Sequence, residues 1–282
     1  MTAQPVTAKL QRFLLSLLLS IGMLGAQAAD APEEEDPRLA PGQGALLRED
    51  YTQAIDALRP LAKEDIPQAQ FLLGMALEKA PAPTGQPAEA LEWYQKAAKA
   101  GHAAAQNNLG AMLFDGRGTK ADPAQAAKWY RAAADQGFVV AQYNLALLYA
   151  NGRGLPKDNV EMARWTQKAA LAGLAAAQAL YGECLLNGRG VEANATEAAR
   201  WFLFAARQRH AGAQFFLGLM LQKGVGVDRD LVASQGWFTR SAEGGNRNAM
   251  LELSKILEIG LGAPSNPEAA RFWLEKSGFA GK

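Results

Sequence analysis

The sequence predicts an all-α protein, a right-handed α/α superhelical solenoid of six 36-residue helical hairpins with a pair of N-terminal capping helices. Three observations carry that expectation. Trp93, Trp129, Trp165, Trp201, Trp237 and Trp273, all the tryptophans of the 282-residue chain, fall 36 residues apart. Ala69, Ala105, Ala141, Ala177, Ala213 and Ala249 keep the same interval without an insertion, followed by Gln70, Gln106, Gln142, Gln178 and Gln214 and, in the sixth copy, Met250. Alanine is abundant and β-branched residues are sparse, which favours helices whose backbones approach closely. With 49% hydrophobic residues the chain can bury a sizeable core, and 29 Lys+Arg against 28 Asp+Glu leave no net field to attract a nucleic acid.

The elements follow in chain order. Lys9 and Arg12 precede an apolar run from Phe13 to Gly25, and Ala26-Gln27-Ala28 forms a small-x-small site, so residues 1–28 read as a signal peptide cleaved after Ala28. The run is shorter than the roughly 20 residues a membrane-spanning helix needs. No cysteine stands near the site to take a lipid, so the mature chain is expected in the periplasm or secreted, without membrane insertion. Cleavage removes Lys9, Arg12 and no acid, taking the formal charge from +1 to −1. Residues 29–37, with Glu33-Glu34-Glu35-Asp36, read as an acidic linker. Residues 38–65 read as capping helices, one over Asp50 to Ala62 and a short one near Ala45 to Arg48; residues 66–282 form the solenoid.

Each repeat reads as two helices. Helix A of the second copy spans about Ala103 to Asp115, with Ala105, Leu109 and Leu113 on one buried stripe, and ends at Gly116, a C-cap that recurs as Gly152, Gly188, Gly224 and Gly260. Helix B is announced by Gln86, Asp122, Asp158, Asn194, Asp230 and Asn266, five of them good N-caps. Pro87, Pro123 and Pro267 follow at the first helical position, and Glu89, Gln125, Glu161 and Glu197 stand where a capping box would place them. Helix B then carries the tryptophan, expected in the core of every copy, and a close-packing alanine pair such as Ala133-Ala134.

The pattern Ala-x-x-x-Leu-Gly-x-x-Tyr/Leu, Gly-x-Gly, Asp/Asn, then Ala-x-x-Trp-Tyr/Phe-x-x-Ala-Ala-x-x-Gly resembles the Sel-one-like repeat family, relatives of tetratricopeptide repeats, over about residues 66–278. Copies two, three and five match well. The first has Ala80-Pro81-Ala82 in place of Gly-x-Gly and the sixth has Ser254 for the Leu-Gly glycine, as end copies with one neighbour would. The resemblance implies a protein-binding adaptor or scaffold of the bacterial envelope. It also implies, as alternatives, a periplasmic immunity protein neutralising a phospholipase toxin, or an enzyme acting on β-lactams; that last activity goes with a cysteine pair in each repeat, and this chain has only Cys184.

No catalytic, cofactor-binding or metal-binding set is expected. Gly116-Arg117-Gly118 lacks a phosphate-binding loop's longer fingerprint and its Lys-Ser/Thr. His102 and His210 occupy one turn slot three repeats apart, which excludes a zinc site or a cysteine–histidine pair at ordinary spacing. Cys184 reads as an inert thiol beside a core slot. Arg117, Arg153 and Arg189 would line one edge, solvated or offered to an acidic partner. If the fixed alanine faces the core, the second, third and sixth positions after it look onto the inner, concave face. They read Phe71, Leu72 and Met75; Asn107, Asn108 and Ala111; Tyr143, Asn144 and Leu147; Ala179, Leu180 and Glu183; Phe215, Phe216 and Leu219. Of these, Asn107, Asn108, Tyr143, Asn144, Leu147, Phe215, Phe216 and Leu219 are the candidate contacts for a protein partner, with the chain itself a monomer.

Overall fold

The computed structural model describes residues 36–262 and 264–278. The signal peptide and residues 29–35 of the linker lie outside them. The described residues are all-α: after a 3-10 turn at Pro37–Leu39 come α1 (Ala40–Leu47), α2 (Tyr51–Lys63), α3 (Pro67–Lys79), α4 (Pro87–Lys99), α5 (Ala103–Asp115), α6 (Pro123–Asp135) and α7 (Val139–Asn151). Then follow α8 (Asn159–Leu171), α9 (Ala175–Asn187), α10 (Ala195–Arg207), α11 (Ala211–Lys223), α12 (Leu231–Glu243), α13 (Arg247–Ile259) and α14 (Pro267–Ser277). Odd-numbered helices from α3 onward are the A helices and even-numbered ones the B helices. The chain divides after Lys157 into two compact units, each a succession of packed helices. The first holds the N-terminal helices, repeats one and two and α7; the second holds α8 and repeats four to six.

The local signals account for the boundaries. Asp122, Asp158, Asn194, Asp230 and Asn266 each accept a backbone N–H from the first turn of their B helix, and Gln86 does not. The capping box is not formed. The N-cap N–H of Asp122 donates instead to the Leu113 carbonyl (2.7 Å) and that of Asn194 to the Leu185 carbonyl (2.8 Å), tying each B helix to its own A helix. The glutamates of the box accept from the tryptophan one turn on: Glu89 from Trp93 (3.1 Å), Glu161 from Trp165 (3.1 Å) and Glu197 from Trp201 (3.4 Å).

Both glycines of Gly-x-Gly are required. Gly116, Gly152, Gly188, Gly224 and Gly260 end their A helices in the left-handed region. The second glycine, also at positive φ, lies so close to the first turn of the preceding B helix that a Cβ on Gly118 would come within 2.5 Å of the Pro87 carbonyl oxygen. That approach explains a glycine at both ends of a variable residue.

The tryptophans are not uniformly core. Trp93 and Trp165 are buried, while Trp129, Trp201, Trp237 and Trp273 are half-buried. The position after the tryptophan fills the hairpin instead: Tyr94, Tyr130, Phe202 and Phe238 are all buried, each ring against the Leu-Gly glycine of its own repeat. A Cβ on Gly74, Gly110, Gly182 or Gly218 would meet that ring at 2.9–3.0 Å. Where the glycine becomes Ala146 or Ser254, the ring position becomes Thr166 or Leu274.

Candidate functional site

In the first unit, three of the candidate residues belong to one hydrogen-bonded chain. Asn144 Nδ2 donates to Asn107 Oδ1 (3.0 Å), Asn107 Nδ2 to Asn108 Oδ1 (3.2 Å), and Asn108 Nδ2 to Tyr94 Oη (3.2 Å). Tyr94 Oη donates to Glu78 Oε2 (2.7 Å), and the other Glu78 oxygen is ion-paired with Arg117. Repeat register brings these groups together: the slot of Asn108 and Asn144 on each A helix follows the inward ring of the preceding B helix. Burial and the Glu78 carboxylate raise the Tyr94 pKa well above the usual phenol value, so the hydroxyl remains a donor. Asn107, expected to be presented, is buried and serves as the middle link; Asn108, Tyr143, Asn144 and Leu147 are half-buried. Beside this chain Phe71 stacks on His102 (centroids 4.7 Å apart).

The corresponding face of the second unit is aromatic. Phe216 stacks on Phe202 (5.0 Å, 16° between planes) and meets Phe215 edge-on (5.7 Å), and Phe215 tilts against Phe238 (5.9 Å). Phe215 and Leu219 also pack on the cluster of Phe238, Ala242, Ala249, Met250, Leu253 and Ile256. Phe215, Phe216 and Leu219 are therefore half-buried residues with one side in the helix packing and one side exposed. The same pair of slots thus swaps chemistry as a unit, Tyr94 with Asn108 in one half and Phe202 with Phe216 in the other.

The arginine edge is engaged with its own fold. Arg117 pairs with Glu78 and, at 3.3 Å, with Asp115; Arg153 lies over the Phe114 ring (4.0 Å); Arg189 Nε donates to Asn159 Oδ1 (3.2 Å). The histidines turn out to be N-caps, a role the sequence reading missed: Nδ1 of His102 accepts from Ala105 N and that of His210 from Ala213 N, both at 3.1 Å. Asn246 caps α13 from the same slot, which is the signal that could have revealed it. His102 Nε2 donates to Gln68 Oε1 (2.7 Å), and burial lowers its pKa to about 4. Cys184 is buried with Sγ 3.6 Å from the Met162 sulfur, and burial pushes its thiol up to about 11, which keeps it protonated near neutral pH. Among the described residues no group of three or more His, Cys, Asp or Glu could hold a metal ion, and no helix is long and apolar enough to cross a membrane.

Six consecutive segments, 67–102, 103–138, 139–174, 175–210, 211–246 and 247–278, match the Sel1 repeat model. The chain belongs to the Sel1 repeat family. A protective antigen of uropathogenic Escherichia coli with an SLR fold is 34% identical over 86% of this chain and 53% of its own, with a TM-score of 0.80. The chain thus spans about half the length of that protein. A Sel1 repeat protein from Oxalobacter formigenes is 32% identical over 86% of this chain and 97% of its own, with a TM-score of 0.76. An immunity protein from Pseudomonas aeruginosa is more distant, at 20% identity over 75% of this chain and 80% of its own, with a TM-score of 0.44. No curated protein sequence matches. Sel1 repeats are in general non-catalytic scaffolds for protein–protein interaction, and this chain has that scaffold.

Proposed function

We propose that this Sel1 repeat protein is an exported adaptor of the cell envelope that holds a segment of a partner protein on the faces of its A helices. The observation that carries the reading is the chain from Asn144 to Glu78 and Arg117. It fixes three amides and a phenol in place before any ligand arrives, so a partner would not bear the cost of ordering them. Asn108 and Asn144 each use one amide N–H within the chain and are half-buried, leaving hydrogen-bonding capacity toward solvent beside Tyr143 and Leu147. In the second unit the exposed sides of Phe215, Phe216 and Leu219 offer apolar anchoring.

The test is affinity capture from envelope extract with the mature wild-type chain and with Tyr143→Ala and Asn144→Ala. Both variants are expected to keep the helical circular dichroism and lose the partner that the wild type retains in moderate salt. Retention of the same partner by both variants would refute the assignment of this face. Phe215→Ser and Phe216→Ser are poorer probes, because each also removes ring packing against Phe238 or Phe202.

A further inference from the structure

Glu183 lies on α9 at the sixth position after the fixed alanine, where other copies carry Met75, Ala111, Leu147 and Leu219 and the last carries Lys255. Its helical neighbours one turn away are Ala179 and Leu180 on one side and Leu186 and Asn187 on the other, where the Asn187 amide donates to the Glu183 backbone carbonyl (2.9 Å). The carboxylate is half-buried and accepts no hydrogen bond from the described residues. The charged groups on equivalent faces are satisfied: Glu78 by Tyr94 and Arg117, Lys255 by Glu252 at 2.8 Å. Arg189 acts on Glu183 through its field, and its Nε donates to Asn159 Oδ1. Burial accordingly raises the Glu183 pKa, and Arg189 opposes the rise only in part.

A half-buried carboxylate without a donor gains most from a charge-assisted hydrogen bond. We propose that the A-helix face of the second unit recognises a partner segment by an arginine or lysine that pairs with Glu183, while apolar residues flanking that cation rest on Leu180, Phe215, Phe216 and Leu219. This rests on the scaffold reading above and names the chemistry of what is held. A purely apolar segment would cover the carboxylate and leave it uncompensated, and no metal-ligating cluster surrounds it among the described residues.

The experiment is selection from a random phage-displayed peptide library on the full mature chain. The expected consensus is an Arg or Lys flanked by apolar residues. A synthetic consensus peptide should bind Glu183→Gln weaker by about tenfold or more, the loss of one charged hydrogen bond. Glu183→Arg should lose the peptide and regain binding when the peptide cation is changed to Glu. Glu183→Gln should unfold in urea at the wild-type concentration or higher, since it removes an unpaired charge. A consensus without a cation, or consensus-peptide affinity for Glu183→Gln within about twofold of wild type, overturns the inference and leaves the scaffold reading intact. Selection of no peptide at all overturns both.

Discussion

Gly218 and Gly236 sit inside the neighbouring helices α11 and α12 and differ in what a methyl group would meet. At Gly218 a Cβ would lie 2.9 Å from two carbons of the fully buried Phe238 ring, whereas at Gly236 nothing lies within 4 Å. Gly218→Ala is expected to destabilise by about 1–3 kcal/mol through overpacking. Gly236→Ala should stabilise by about 0.5–1 kcal/mol by lowering the entropy of the unfolded chain. Urea denaturation of the two variants distinguishes them by sign. His102 supplies a second expectation at this scale. Unfolded, its imidazole takes a proton near pH 6.5, and folded only at about 4, so the folded state binds fewer protons between those values. Stability present above pH 6.5 should therefore fall as pH drops toward 4, by at most about 1.4 kcal/mol per pH unit. His210, lowered by burial too, adds a contribution of the same sign. His102→Asn keeps a cap of the kind Asn246 makes and should flatten the dependence, as read from denaturation midpoints across that range. The role of Gly218 was not legible in composition or spacing, because it depends on the Phe238 ring of another helix; the His102 cap shares its slot with Asn246, but the bond to the Gln68 amide is a contact between repeats that spacing does not show.

The helices themselves were readable because their ends are set by local chemistry. Helix A of the second copy spans Ala103–Asp115 as expected, and the left-handed glycines and Asp/Asn caps fall where the pattern places them. The early capping helix was read too short: α1 begins at Ala40, with Pro41 in its first turn, and Gly42 approaches the Leu58 side chain of α2. Gln86 has φ −134° and ψ 81°, close to Asp122 at −138° and 83°, yet only Asp122 caps its helix. Gln86→Asp should therefore stabilise by about 0.5–2 kcal/mol and Asp122→Ala should destabilise by a similar amount, both measurable by thermal unfolding. The capping box failed for a reason no local window contains. The N-cap N–H is already taken by a carbonyl of helix A, so the glutamate is released to accept from the tryptophan indole.

At the scale of the whole molecule, export is the expectation that rests on sequence alone. The mature chain should begin at Ala29, which the intact mass of the protein from a periplasmic fraction would check; a mass that retains residues 1–28 would refute it. Repeat number, register and the order of helices were determined by the sequence itself, since a 36-residue period of fixed alanines, tryptophans and caps repeats local signals that need no distant partner to be read. The tertiary structure decided which positions are core and what each face offers. It made the residue after tryptophan the inward ring, left four tryptophans half-buried and drew Asn107 inward as the link between Asn144 and Asn108. It also committed the arginine edge to Glu78, Phe114 and Asn159. These outcomes depend on which side chains meet across packed helices, and a periodic sequence specifies that two residues share a slot without specifying what fills the space between them.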